Sequence, residues 1–172
     1  SYGNGRALSI SASATGTILE NVIFQNNYGG ALSVDFSNAG LIVNKCQFIQ
    51  NIGIKNGGAV YIGSSNGHSN YRLNNEYEIQ FINCSFIENN AIYGGSIYID
   101  NDNSVILDNI VIQNNNATIS GGGIYVQESN DIIIKNSSLS GNIAMKDGGA
   151  LYIAESNTLS VENTQFDQNS AG

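Results

Sequence analysis

The feature that most constrains this chain is a pair of residues, an apolar side chain followed three places later by asparagine, which occurs six times. The pairs are Phe24/Asn27, Phe48/Asn51, Phe86/Asn89, Ile112/Asn115, Leu139/Asn142 and Phe166/Asn169. After each of the first five comes a double glycine and a short alternating segment. These are Gly29-Gly30-Ala31-Leu32-Ser33-Val34, Gly57-Gly58-Ala59-Val60-Tyr61-Ile62, Gly94-Gly95-Ser96-Ile97-Tyr98-Ile99, Gly121-Gly122-Gly123-Ile124-Tyr125-Val126 and Gly148-Gly149-Ala150-Leu151-Tyr152-Ile153. Gly5-Arg6-Ala7-Leu8-Ser9-Ile10 is a degraded first copy. Successive anchors stand 24, 38, 26, 27 and 27 residues apart. Such a period belongs to a solenoid, in which each repeat is one coil and buries its apolar side chains against its neighbours. The spacing of 38 marks an insertion from about Gly63 to Glu78.

Within a coil three short apolar segments alternate at period two, as half-buried strands do; Leu151/Ile153, Leu159/Val161 and Thr164/Phe166 are one such set. Parallel strands joined by successive connections of the same sense coil to the right. The pattern therefore predicts an all-β protein: a right-handed parallel β-helix of about six coils with three strands per coil, one unit over residues 1–172. Composition agrees, with 24 isoleucines against 9 leucines, 27 asparagines, 20 glycines and no proline. Isoleucine is stiff and suits a pleated surface, while asparagine tolerates left-handed turns. A leucine-rich repeat has a similar period and an asparagine, but leucine is scarce here and nothing between the strands has helical periodicity.

Stacking one coil on the next turns equivalent positions into columns. The position three before the anchor holds Asn21, Lys45, Asn83, Asn109, Asn136 and Asn163, a second column rich in asparagine. Both columns are expected at bends, where an amide reaches its neighbour about 4.8 Å away. The double glycine is expected at a third corner, with positive backbone torsions. Cys46 and Cys84 lie two places before their anchors on adjacent coils. Near-parallel Cβ bonds hold such neighbours farther apart than the roughly 3.8 Å a disulfide prefers, so two buried thiols are expected. Tyr61, Tyr98, Tyr125 and Tyr152 share one column between inward aliphatics and predict an outward stack. Such a row shields a strand, or offers ring surface to a sugar or a protein.

The paired motifs F-x-x-N and G-G-A-[ILV] resemble the repeat of the polymorphic outer membrane protein family, the chlamydial-type adhesin autotransporters, over essentially the whole chain. Ile112 and Leu139 stand in place of the phenylalanine, and Ser96 and Gly123 in place of the alanine. The resemblance implies a β-helical passenger of a large surface protein implicated in adhesion. The segment is then expected to come from a longer extracellular or cell-surface protein whose neighbouring coils cover its edges. The motif residues themselves are scaffold.

The balance of 14 acidic against 6 basic residues, net −8, repels phosphate backbones and anionic lipid. No apolar run approaches the roughly 20 residues of a spanning helix, so neither nucleic acid nor direct membrane insertion is expected. Glycoside cleavage needs placed carboxylates, and lyase chemistry needs a base beside cations. Arg6, Lys45, Lys55, Arg72, Lys135 and Lys146 are scattered over different coils. Asp100 and Asp102 begin like a calcium loop, but its later glycine and glutamate are missing, and His68 has no partner at metal or triad spacing. Asp108, Lys135 and Glu162 share a column and read as a solvated ladder, each pair worth at most about 1 kcal/mol.

No catalytic residue, metal or cofactor is expected. The leading expectation is a non-catalytic structural or adhesive segment that meets a protein or glycan on its outer faces or on the insertion loop. The loop supplies His68, Tyr71, Arg72 and Tyr77 as candidate contacts. Two alternatives stand beside it: a carbohydrate-binding or polysaccharide-processing β-helix with catalytic coils outside this segment, and an architectural subunit of an extracellular filament or coat. Of the Asn-x-Ser/Thr acceptors Asn83, Asn116 and Asn136, only Asn116 lies outside the asparagine columns. It is placed in the loop leading to Gly121, and any N-linked glycan is expected there.

Overall fold

The computed structural model describes residues 6–11, 16–35, 40–63, 79–100, 104–128, 130–154 and 157–172. Three parallel sheets hold six strands each. Sheet A contains Leu8–Ser11, Leu32–Asp35, Val60–Ile62, Ile97–Ile99, Ile124–Val126 and Leu151–Ile153, the segments that follow the double glycines. Sheet B contains Ile18–Glu20, Ile42–Asn44, Ile79–Ile82, Ser104–Asp108, Asp131–Lys135 and Thr158–Glu162. Sheet C contains the anchor strands Ile23–Gln25, Gln47–Ile49, Ser85–Ile87, Val111–Gln113, Ser138–Ser140 and Gln165–Asp167. Their register is the one the repeat demands, with Phe24, Phe48, Phe86, Ile112, Leu139 and Phe166 opposite one another in turn.

The expectation of three strands per coil is corrected by a fourth sheet, D, made of Asn90–Tyr93, Asn116–Ser120, Ile143–Ala144 and Ser170–Ala171. One residue, Tyr28, separates the column asparagine from the double glycine in the early coil, whereas four or five residues do so in the later ones. From Asn90 onward that extra length forms a short strand in place of a bare corner, and in the coil before it Ile52 and Asn56 make single bridges to that strand. Its inward residues Ala91, Ala117 and Ala144 are small and buried, so the additional side costs little core volume. Asn116 accordingly opens a strand and is half-buried, in place of the predicted loop.

Inside, equivalent side chains stack on themselves. Leu32, Val60, Ile97 and Ile124 from sheet A, Val43, Phe81, Leu107 and Ile134 from sheet B, and Phe48, Phe86, Ile112 and Leu139 from sheet C are wholly buried. Phe24, Phe48 and Phe86 lie face to face, with centroids 4.9 and 4.8 Å apart and planes within 7° and 4°. Each buried side chain of this size stabilises the fold by about 1.5–3 kcal/mol.

Asparagines after the anchors form a continuous ladder. Nδ2 donates to the next coil's Oδ1 from Asn27 to Asn51 (2.8 Å), Asn51 to Asn89 (3.0 Å), Asn89 to Asn115 (3.0 Å), Asn115 to Asn142 (2.9 Å) and Asn142 to Asn169 (2.8 Å). The same nitrogen also donates to the anchor carbonyl of the preceding coil, as Asn115 does to Phe86 O at 3.0 Å. Each Oδ1 accepts the backbone N–H of the asparagine before it, as Asn115 Oδ1 does from Asn89 at 2.8 Å. Asn51, Asn89, Asn115 and Asn142 are buried, and their bonds satisfy bend groups that water cannot reach.

The bending itself is done elsewhere. Residues just before the ladder, Asn26, Gln50, Glu88, Asn114 and Gln168, have φ of 51–57°, with Gly141 completing the set at 63°. The second predicted column, Asn21, Lys45, Asn83, Asn109, Asn136 and Asn163, also has positive φ, from 46 to 56°. These residues are exposed, and Asn109 donates to Asn83 Oδ1 (2.6 Å) and Asn163 to Asn136 Oδ1 (3.5 Å), so this column is a rim of left-handed corners joined by some of the expected amide bonds. Asparagine visits that region at less cost than most residues. The second glycine of each pair answers to packing. A Cβ at Gly58, Gly95 or Gly122 would collide with the carbonyl oxygen of Gly95, Gly122 or Gly149 in the next coil.

Two stability changes are expected. Asn115→Ala removes donors and acceptors from both neighbouring coils and should cost about 1–3 kcal/mol in urea denaturation; a loss below about 0.5 kcal/mol would show that the ladder does not hold the coils together. Ser96 stands in the small-residue column with its Oγ buried and without a hydrogen-bond partner among the described residues. Ser96→Ala should therefore stabilise the protein by about 1 kcal/mol, and a decrease in melting temperature would contradict this account.

Candidate functional site

The outer face of sheet A carries the aromatic row. Tyr61, Tyr98, Tyr125 and Tyr152 stack with centroids 5.7, 5.1 and 4.9 Å apart and planes within 15°, 5° and 23°. Nearly parallel rings at this spacing cover one another's faces, and Tyr98 is only 8% exposed. The row thus offers edges and hydroxyls to solvent, not the flat faces that a sugar ring would stack on. Tyr93 closes one flank, meeting Tyr125 edge-on at 5.3 Å.

The row stops at Tyr61 because the two preceding positions in register are Ser33 and Ser9. Two missing rings leave a notch, and Arg6 reaches across it. Its guanidinium lies 5.2 Å from the centroid of Tyr61 and donates to Gly57 O (3.0 Å) and Asn56 O (2.6 Å). Arg6 occupies the place that the second glycine holds in later coils, and its side chain passes over Gly30, where a Cβ would collide with it. Burial pulls the guanidinium down to about 10, while nearby Asp35 favours its charge. Asp35 accepts from Ser33 Oγ at 2.6 Å. What remains is a cleft of about 360 Å³, bounded by Arg6, Ser33, Asp35, Ile54, Lys55 and Tyr61 among others.

Farther along the row, Tyr61 donates to Asp100 Oδ2 at 3.0 Å. Burial first, then Asp100, pushes the Tyr61 phenol up to about 12. Burial also raises Tyr98 and Tyr125, with Asp100 the next cause for the former and Tyr152 for the latter.

The remaining sequence candidates are dispersed. Cys46 and Cys84 are buried free thiols, as expected. Their Sγ atoms donate to Asn44 O (3.3 Å) and Ile82 O (3.2 Å), and burial pushes Cys84 up to about 11, far from a reactive thiolate. Lys135 Nζ lies 3.4 Å from Asp108 Oδ2 on the rim, a partly exposed pair. Asn83 donates to Asn44 Oδ1 (3.2 Å) and Asn136 to Asp108 Oδ1 (2.9 Å), while Asn116 sits in register between Asn90 and Ile143. His68, Tyr71, Arg72 and Tyr77 of the insertion, and Asp102, lie outside the described residues. No group of three or more His, Cys, Asp or Glu side chains converges among the described residues.

Two features escaped the sequence reading. Asn130 lies outside the predicted columns; its N–H donates to Asn157 Oδ1 at 2.8 Å, and its amide caps Gln127 O and Glu128 O. The signal was present, since asparagine recurs eight places after the second glycine at Asn38, Asn66, Asn103, Asn130 and Asn157. The Arg6 bridge was announced only by the break in the glycine column.

A family model described as right handed beta helix region matches residues 71–172, more than half of the chain, and the chain belongs to that family. No curated protein and no solved structure matches the chain.

Raised phenol values predict alkaline sensitivity. Below pH about 10 Tyr61, Tyr98 and Tyr125 are neutral both folded and unfolded, and their burial contributes fully. As pH rises past that point the unfolded chain releases protons that folded Tyr61 holds until about 12, so stability falls across this interval. Phenolate absorbance of the native protein should lag that of the urea-unfolded chain; coincident titrations would mean that the row is not buried in solution.

Proposed function

We propose that this segment is a non-catalytic, adhesive stretch of a surface-displayed β-helical rod, of the polymorphic outer membrane protein type that its motifs resemble. The observation that carries the reading is the division of labour between columns. Every repeated element, the anchor stack, the amide ladder and the glycine pair, is spent on holding one coil to the next. The residues that break the repeat on the tyrosine face, Arg6 for glycine and Ser9 and Ser33 for tyrosine, open a notch instead of continuing a column, and recognition belongs to that place. The carboxylates on the tyrosine face, Asp35 and Asp100, are bonded to Ser33 and Tyr61 hydroxyls, an arrangement suited to fixing a surface. The net charge of −8 disfavours nucleic acid and anionic lipid as partners. In a eukaryotic secretory source the glycan acceptor would be Asn116, whose amide is not tied to the rim as those of Asn83 and Asn136 are.

Beads coated with the native chain should bind cultured cells above the level of beads coated with heat-denatured chain, and the soluble chain should release no reducing ends from a panel of acidic and neutral polysaccharides. Equal binding by native and denatured coats would sink the adhesive reading, and released reducing ends would establish an enzyme.

A further inference from the structure

The notch at the end of the tyrosine row does not stand alone on the surface. Tyr28 (75% exposed) and Ile52 (46%) are bridge partners on adjacent coils, and they stand one and two residues along the chain from Gly29 and Ile54 (40%), which line the notch. Ile54 is thus an apolar wall of a recess containing Arg6 and Lys55, with Tyr28 and Ile52 on the segments beside it. Among the described residues, Asp35 is the one acidic residue lining the recess, and it is already engaged by Ser33. Lys55 is exposed and makes no ion pair among the described residues. In a chain of net charge −8, two cations against one carboxylate make a local positive spot.

We infer that this patch is a protein-docking surface, and that its partner is a loop presenting one aspartate or glutamate between apolar or aromatic side chains. The inference rests on the adhesive reading and names the kind of partner. The apolar rim supplies the desolvated area that interface anchors need, and a recessed cation pairs with a carboxylate far better there than in open water. Arg6 is fixed by two backbone carbonyls and the Tyr61 ring, so little ordering accompanies binding at that end. Lys55 is the exposed cation and selects for charge. A bare anion would leave Tyr28, Ile52 and Ile54 uncovered, and a neutral apolar loop would bury Lys55 without a partner.

The probe is a blocked peptide, N-acetylated and C-amidated, with a single aspartate flanked by leucine and tyrosine; its asparagine counterpart and sodium acetate are controls. Titrated into the full chain and followed by NMR shifts, the aspartate peptide should bind at least about tenfold more tightly than the asparagine peptide. Lys55→Glu should weaken it by at least about tenfold with an unchanged melting temperature, and Ile54→Ser should weaken both peptides. Equal affinity for the two peptides, indifference to Lys55→Glu, or full displacement by equimolar acetate would each overturn the inference. Bead adhesion separates the two levels. Adhesion that survives Lys55→Glu without peptide binding removes only the docking patch, whereas selective peptide binding without bead adhesion removes only the adhesive reading.

Discussion

Winding a chain into stacked coils forces it to turn sharply several times per coil, and each turn interrupts the strand bonding that would satisfy buried backbone groups. The asparagine ladder resolves that conflict after sheet C. One side chain per coil imitates a strand residue: its Oδ1 takes a backbone N–H from the coil before, and its Nδ2 serves both an anchor carbonyl and the next amide. Satisfied in both directions, the amide can be buried outright, and the chain can turn without admitting water. The anchor stack depends on this, because Phe48 and Phe86 stay in contact only while the corner beside them repeats at the strand spacing. The glycine pair makes the same demand of backbone, since carbonyl and Cα of successive coils approach too closely for any Cβ.

Most of this was legible in the sequence because it is periodic. A buried column admits few residue types, so Phe24, Phe48 and Phe86, or Asn89 and Asn115, announce their role by recurring. Legibility failed where one column served two purposes or none was kept. Asparagine at Asn83 or Asn136 resembles the ladder in composition, yet it answers to a left-handed torsion at an exposed corner, where Lys45 serves as well. Sheet D was missed because its short strands carry alanine inward, and a segment such as Asn116-Ala117-Thr118 has no strong alternation to read. The aromatic row was found, but the closeness of its rings was not, and that closeness removes the sugar-stacking option.

The candidate site was the least legible part for a related reason. Arg6 is 51 residues from Gly57, to which it bonds, and the contact arises only because two serines leave room above Gly30. No local pattern encodes a bridge of that kind. What the sequence did show was three faults in two columns at one place: arginine for glycine, and serine for tyrosine twice. Faults that coincide in space are informative in a solenoid, because each costs packing that a regular coil would keep.

In a solenoid, recognition at one place would have to reside where the repeat breaks. A perfectly regular β-helix presents the same surface at every coil, and a partner gains no unique position along it. Specificity needs a register mark, a site at which the lattice of side chains changes. The Arg6 notch is such a mark, and it lies where the tyrosine lid ends, so the rigid row fixes one wall while Lys55 and the Tyr28, Ile52 and Ile54 rim supply variable chemistry. Scaffold and site are then not competing uses of the same residues. The columns that repeat hold the coils at constant spacing, and that constancy makes a single departure from the repeat a defined, preorganised recess.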